Sequence, residues 1–262
     1  MKWTAVQNYE AMSALAAQRI AEVISGARSD RRGARIGLAT GNTMIRLYRL
    51  LADRLNNARL DLSDFSTFNL DEYVGDDGAN VAPNHPLSYR AYMARYFYDL
   101  LDPALGFKRE SMFFPDARAP EKYDAQIADG GGLDFQLLGI GFDGHIAFNE
   151  PVPAGELSES AFAGLPSRVI RLEDMTIRTN AHLTAQDDAR IVPHRAVTLG
   201  MRSILDAKEI WLLACFEEQT VPLEKMRKGT VSTENPASFL LKHPSVHVVY
   251  TTDTIRFEGE SK

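Results

Sequence analysis

The chain has 262 residues, of which 45% are apolar and 24% charged, and its formal net charge is −6. This is the composition of a globular protein that can bury a core in one large α/β domain or in two small ones. The acidic balance argues against nucleic acid or an anionic membrane surface as a partner. No apolar run reaches the length of a membrane span, and the first residues have no signal-peptide pattern, so we expect a cytoplasmic protein with neither a membrane nor a nucleic-acid partner.

The predicted elements alternate between helices and strands. In chain order they are helix 9–27, strand 34–39, helix 44–55, strand 66–70, helix 87–101, helix 121–128, strand 135–140, strands 168–172 and 209–215, helix 217–227 and strand 246–250. This alternation with short connections predicts an α/β fold, a Rossmann-like parallel-sheet sandwich with helices on both faces. No repeat or linker divides the chain, so residues 1–262 are predicted to form a single domain. The one cysteine, Cys215, lies in an apolar strand and is predicted to be a buried thiol.

Polar residues follow three of the predicted strands. Ligands of open α/β sheets bind outside the carboxyl ends of the strands, so these positions are candidates for a site. The first is the turn Thr40-Gly41-Asn42-Thr43, which offers hydroxyl groups and the first N–H groups of the following helix. Such a turn either binds a phosphate or carboxylate, or only caps the helix, and the turn alone does not decide between the two.

The second candidate is the adjacent carboxylate pair Asp71-Glu72, whose side chains must point in different directions. If one of them faces a crevice, partial burial raises its pKa toward the range of a general base. A solvated loop acid is the alternative.

The third candidate is the segment 141–151, which places Asp143, His145 and Glu150 within eight positions. An imidazole oriented by carboxylates can serve as an acid and a base near neutral pH. A metal site is the less favoured interpretation, because one histidine flanked by acids lacks the spacing of a zinc motif.

These segments resemble the glucosamine-6-phosphate deaminase family and its galactosamine-6-phosphate deaminase relatives. The matching stretches are GLATGNT (37–43), FNLDEYVG (68–75), HPLSY (85–89), GIGFDGHIAFNEP (139–151), AVTLG (196–200) and the segment 232–240. They occur in family order over nearly the whole chain. The related 6-phosphogluconolactonases share the Asp-Gly-His signature but lack the Asn-Glu-Pro ending.

The resemblance implies a cofactor-free conversion of an amino-sugar 6-phosphate and water to a ketose 6-phosphate and ammonia. We expect no metal at the site and a homo-oligomer as the assembly. By position, Asp71 is similar to the base that moves a proton from C2 to C1. His145, oriented by Asp143 and Glu150, is similar to the group that opens the sugar ring. The resemblance also implies a mobile lid near residues 168–185.

The chain departs from the family where the phosphate is bound. The turn 40–43 normally works with an Arg and a Lys, which here fall on His182 and Gln219. Arg168, Arg178, Lys225 and Lys228 could compensate, and we count Arg168 and His182 with the turn as candidate substrate-binding residues. Phe142 stands where deaminases usually have a polar residue.

Three rival functions therefore remain open on the sequence. They are the same chemistry on a different amino sugar or sugar-amine conjugate, with or without a 6-phosphate, a sugar-phosphate lactonase, and a non-catalytic sugar-binding protein.

Overall fold

The computed structural model describes residues 1–30 and 32–258, whose strands form two sheets. The larger sheet has seven parallel strands in the order β1-β10-β9-β6-β2-β3-β5, and the smaller has three antiparallel strands in the order β4-β8-β7. The strands are β1 Lys2–Val6, β2 Arg35–Leu38, β3 Ser66–Asn69, β4 Asp71–Val74, β5 Met112–Phe113, β6 Phe135–Gly139, β7 Arg168–Arg171, β8 Arg195–Thr198, β9 Ile210–Ala214 and β10 Val246–Thr251.

The α-helices are α1 Tyr9–Ser29, α2 Ile45–Ala58, α3 Tyr89–Tyr96, α4 Pro120–Asp129, α5 Glu159–Ala163, α6 Asp174–Thr184, α7 Met201–Leu205 and α8 Thr220–Arg227. Short 3₁₀ turns precede α2 and α8. The helix predicted over 87–101 is shorter in the structure. The α-helix α3 ends at Tyr96, and the 3₁₀ turn Tyr98–Leu100 follows it. No helix in residues 1–30 and 32–258 is both long enough and apolar enough to cross a membrane.

Helices cover the large sheet on two sides. The chain moves from β2 to β3 to β5 toward one edge, and from β6 to β9 to β10 toward the other. Because crossover connections are right-handed, this reversal places α2 and α3 on one face and α4, α7 and α8 on the opposite face. The packing agrees, since α2 contacts α1 and α3, whereas α4 contacts α7. The predicted α/β fold with a parallel central sheet is confirmed.

The reversal occurs between the neighbouring strands β2 and β6. The loops that follow these two strands leave in opposite directions and open a crevice at the carboxyl edge of the sheet. The turn 40–43 follows β2 and the segment 141–151 follows β6, so the topology brings the first and third candidate clusters to this crevice.

The small sheet was not predicted. Strand 168–172 is present as β7, but it pairs antiparallel with β8, and β8 pairs antiparallel with β4. β4 was missed because it begins with two carboxylates only one residue after β3 ends, which obscures its apolar character, although all four of its residues are buried. The edge strands β1 and β5 were also missed. The two-residue β5 is too short to show a periodic pattern.

Two apolar clusters hold these layers together. The larger one surrounds the parallel sheet and contains the inner face of α1, including Met12, Ala16 and Ile20. A smaller one joins the small sheet to α6 through Tyr73, Ile177 and their neighbours. The single domain over residues 1–262 stays a prediction.

Candidate active site

A cavity of about 160 Å³ lies at the crevice between β2 and β6. Its wall contains the candidate residues Thr40, Gly41, Asn42, Thr43, Asp71, Asp143 and His145. Helix α6 and the loop after β9 also contribute to the wall, among others through Thr176 and Phe216. The structure thus brings the three clusters found in the sequence to one cavity.

The turn after β2 adopts a conformation that requires glycine. Gly41 has a φ of 102°, a region that side-chain-bearing residues rarely occupy. Its carbonyl accepts a hydrogen bond from the Tyr92 hydroxyl at 2.7 Å, and the Asn42 carbonyl accepts one from Tyr9 at 2.9 Å. At the end of the turn, the Thr43 hydroxyl lies 3.8 Å from the Sγ of Cys215, which is buried as predicted. The turn is therefore fixed by both sides of the crevice.

Asp71 and Glu72 do point in different directions. Asp71 is 5% exposed and lines the cavity. Burial raises its pKa to about 8, the charge of Glu72 adds to the increase, and His145 opposes it. Glu72 instead accepts hydrogen bonds from the Ser88 hydroxyl and from the backbone N–H groups of Tyr89 and Arg90, where α3 begins. Asp71 is thus the member of the pair available to a ligand, and Glu72 caps a helix.

His145 is held between two carboxylates. Its Nδ1 lies 2.7 Å from Oδ1 of Asp143 and 3.5 Å from Oε2 of Glu150. Burial by itself would lower the pKa of His145, but the Asp143 hydrogen bond, together with the charges of Asp143, Glu150 and Asp71, raises it to about 9. In turn, the imidazole outweighs the effect of burial on Asp143 and lowers its pKa to about 2. Within the part of the chain that the structure describes, Nε2 has no protein partner, so it is free for substrate.

Glu150 does not line the cavity and acts on it through His145. Its Oε1 accepts a 2.8 Å hydrogen bond from the Thr176 hydroxyl, while its Oε2 is buried without a hydrogen-bond partner. Burial raises the pKa of Glu150, and the nearby imidazole opposes this increase. A buried carboxylate with a free oxygen is costly unless a cation faces it, and the charged form of His145 is that cation.

The loop that carries His145 is shaped by residues far along the chain. Gly144 has a φ of 95°, and a Cβ at this position would lie 2.0 Å from Oδ1 of Asn235. The Gly144 carbonyl accepts a hydrogen bond from the N–H of Ala237. Asn149 donates to the carbonyls of Ile146 and Leu199. The role of Asn235 was missed in the sequence, where the resemblance over 232–240 was the available signal.

Helix α6 closes one side of the cavity, where the lid was expected. Besides the bond from Thr176 to Glu150, the Asn180 amide donates to the Tyr73 hydroxyl at 2.8 Å. The Asn42 amide also donates to the Leu183 carbonyl at 3.4 Å. Sequence reasoning identified this segment but none of the three contacts. Whether the helix moves as a lid stays a prediction.

The remaining phosphate candidates lie outside the cavity or are used in structural bonds. His182 has a 74% exposed side chain that pairs with Asp187, and Arg168 donates to Oδ1 of Asn149. Neither residue lines the cavity. Gln219 does line it, but its amide oxygen accepts from the N–H groups of Cys215 and Phe216, and its amide nitrogen donates to the Ile140 carbonyl.

Asp143, His145 and Glu150 also meet the distance requirement for a metal site. One ligand atom from each lies within 4.8 Å of the other two. Metal binding requires a neutral imidazole, and the raised pKa of His145 opposes this. The expected absence of a metal stays a prediction.

Comparisons with known proteins identify the family of the chain. A family model described as glucosamine-6-phosphate isomerases/6-phosphogluconolactonase matches residues 7–152. The glucosamine-6-phosphate deaminase of Rhodopirellula baltica is 42% identical over 220 residues, which cover 82% of this chain and 80% of that protein. The glucosamine-6-phosphate deaminase of Lysinibacillus sphaericus is 36% identical and covers 95% of this chain and 98% of its own length.

Solved structures show the same relationship. A monomeric glucosamine-6-phosphate deaminase superimposes with a TM-score of 0.84 at 31% identity, over 97% of this chain and 98% of that one. The 6-phosphogluconolactonase of Leishmania guyanensis, at 18% identity and a TM-score of 0.71, covers 100% of this chain and 99% of its own length and shares the fold. With its Asp-Gly-His loop and its buried Asp71 in one cavity, the chain belongs to the glucosamine-6-phosphate isomerase/6-phosphogluconolactonase family.

Proposed function

We propose that this chain catalyses the deaminating isomerisation of an amino-sugar 6-phosphate, either glucosamine 6-phosphate or galactosamine 6-phosphate. One water is consumed, and the products are a ketose 6-phosphate and ammonia. The observation that carries the proposal is the presence in one cavity of a buried carboxylate, Asp71, whose pKa is about 8, and an imidazole, His145, whose pKa is about 9.

The two groups suit two different proton transfers. Opening the pyranose ring takes a proton from the anomeric hydroxyl and gives one to the ring oxygen, and the free Nε2 of His145 can do both. Asp143 and Glu150 hold the imidazole in place and stabilise its charged form. Asp143 accepts at Nδ1, which leaves Nε2 for the sugar.

In the open sugar, Asp71 removes the proton from C2 and returns it to C1. This transfer passes through an enolamine and moves the carbonyl character from C1 to C2. Water then adds at C2 and ammonia leaves, so the ketone is formed without a net change in redox state. A base with a raised pKa both accepts the C2 proton and releases it again near neutral pH.

The direct test is to incubate the protein with glucosamine 6-phosphate and galactosamine 6-phosphate and to measure the ammonia and ketose formed. Release of both products in equal amounts is expected, and added EDTA should leave the rate unchanged. If neither compound yields ammonia, the proposed function is wrong. Hydrolysis of a sugar-phosphate lactone would favour the lactonase, and saturable sugar binding without turnover would favour the binding protein.

Substitutions then test the two roles. Asp71→Asn should abolish exchange of the substrate C2 proton with solvent, and we expect a rate loss of about 10²-fold or more. His145→Gln should mainly impair the reaction of the ring-closed sugar. Normal C2 exchange in the Asp71 variant would contradict the assignment. The possible homo-oligomer stays a prediction, which sedimentation can check.

A further inference from the structure

Residues 141–145, which follow β6, form a loop that closes on its own first residue. The N–H of Gly141 donates to the His145 carbonyl at 2.9 Å, and the Gly141 carbonyl accepts from the N–H of Gly144 at 3.0 Å. Gly141 and His145 both line the cavity. The contact between these two residues therefore lies inside the candidate active site.

The imidazole of His145 lies directly over Gly141. A Cβ at position 141 would lie 2.2 Å from Cε1, 2.3 Å from Nδ1 and 2.6 Å from Nε2 of the imidazole. These similar distances place the Cβ over the face of the ring, because an approach in the ring plane would bring Cε1 much closer than the two nitrogens. All three distances are far shorter than the carbon contacts of a packed protein interior. Only a residue without a side chain leaves room for the imidazole in this position.

The imidazole, and not the backbone, requires glycine at position 141. Gly144 in the same loop has a φ of 95°, whereas the φ of Gly141 lies outside the left-handed region that favours glycine. Residue 141 can therefore carry a Cβ without the backbone strain that glycine relieves at position 144. The three heavy atoms nearest to that Cβ would all belong to His145. The conflict is thus between a side chain at position 141 and the ring of His145.

Two further contacts hold the imidazole. Its Nδ1 lies 2.7 Å from Oδ1 of Asp143, and the ring of Phe148 packs beside it with the ring centroids 6.3 Å apart. A methyl group at position 141 would push the imidazole off the Cα of Gly141. The displaced ring would have a longer bond to Asp143, and its Nε2 would point in a different direction in the cavity.

We propose that Gly141 is a positioning residue for the ring-opening step. Its Cα is the surface against which the imidazole of His145 lies, and with the bond to Asp143 it fixes where Nε2 meets the sugar. The inference rests on the proposed function, in which His145 opens the ring. A misplacement of about 1 Å at the site of reaction costs about 10²-fold in rate, so one methyl group on Gly141 is enough to impair this step.

Gly141→Ala tests the contact. With the amino-sugar 6-phosphate that the protein turns over, kcat should fall by about tenfold or more and KM should change less, because the chemistry and not the binding is impaired. In a proton–nitrogen correlation spectrum of the imidazole, the Nδ1 resonance of His145 reports the bond to Asp143 and should move. Gly139→Ala is the matched control, in which this resonance should stay in place. Gly139 also lines the cavity, but its Cβ would meet the Cε of Met44 at 3.5 Å, an ordinary contact.

An unmoved Nδ1 resonance or an unchanged kcat in the folded Gly141→Ala variant overturns the inference and leaves the proposed function standing. If this variant does not fold, the Hα resonances of Gly141 in the unaltered protein decide. They should move when His145→Gln removes the imidazole, and Hα resonances that stay in place overturn the inference. If the unaltered protein releases no ammonia, the proposed function and the ring-opening role both fail, whereas the spectra still show whether Gly141 holds the imidazole.

Discussion

Burial of Asp71 and the carboxylates beside His145 give the two acid–base groups of the cavity opposite electrostatic settings. Asp71 begins a buried strand beside Glu72, so its charged form is disfavoured and its pKa rises to about 8. His145 has two carboxylates near Nδ1, so its charged form is favoured and its pKa rises to about 9. At neutral pH the free enzyme therefore holds both groups mainly protonated, and the base must lose a proton before it can act.

The first prediction concerns the pH dependence of kcat/KM. Because Asp71 acts as a carboxylate, kcat/KM should rise as the pH increases through the pKa of about 8. A profile measured between about pH 6 and pH 9 with one substrate checks this. Asp76→Asn is the matched control, since Asp76 is an exposed acid in the same segment, and the profile should not change. A flat profile up to pH 8 would contradict the raised pKa.

Helix α6 is the element that links the small sheet to the catalytic loop. Its inner side packs in the smaller apolar cluster through Ile177 and Ala181. Its polar side chains Thr176 and Asn180 bond to Glu150 and to the hydroxyl of Tyr73. Thr176 of α6 therefore contacts the carboxylate of Glu150, which faces His145. The helix packs with the small sheet, whereas the loop that carries Glu150 follows β6 of the large sheet.

The second prediction is that Thr176→Val lowers kcat/KM by about tenfold and lowers the free energy of unfolding by about 1–3 kcal/mol. Valine keeps the shape of threonine but cannot donate to Oε1 of Glu150, so neither oxygen of that buried carboxylate has a hydrogen bond and His145 is less well oriented. Steady-state kinetics and a thermal melt measure the two effects. Thr184→Val, at the exposed end of the same helix, is the control and should retain activity. Equal activity of both variants would show that the Thr176 bond is dispensable.

The sequence predicts some of these elements and not others. The inner strands of the parallel sheet and the helices that cover it were predictable, because their apolar runs and turns follow the usual patterns, whereas the edge strands β1 and β5 were not. The small sheet was not, because β4 begins with Asp71-Glu72 and its pairing partner β8 lies more than a hundred residues later. Motif residues were found by resemblance and by position after strands. The contacts of Asn235 and Thr176 come from tertiary packing, which no local pattern reports.

Across the whole molecule, the large parallel sheet is more deeply buried than the small sheet. β9, an inner strand of the parallel sheet between β10 and β6, is buried along its whole length. The small sheet has the partly exposed edge strand β7, and α6 rests on the smaller apolar cluster. The cavity lies between these regions, so one wall belongs to the rigid centre and the other to the part with fewer buried contacts.

The third prediction follows from this difference. Amide hydrogen exchange should be slowest in β9 and faster in α6, because local opening requires less apolar surface to be exposed there. Addition of the ketose product should slow exchange in α6 more than in α4, which contributes no residue to the cavity wall and provides the control. Mass spectrometry of peptides from the native protein measures both. Exchange in α6 as slow as in β9 would contradict a lid at this position.

A single residue, Leu70, connects β3 of the large sheet to β4 of the small sheet. Leu70 follows β3 and precedes β4, its N–H donates to the Leu38 carbonyl, and its own carbonyl accepts from the N–H of Leu199. Side chains alternate along a strand, so inserting or deleting one residue here would turn Asp71 away from the cavity and direct its neighbour into it. The spacing from Asn69 to Asp71 must therefore keep its length for Asp71 to face the cavity.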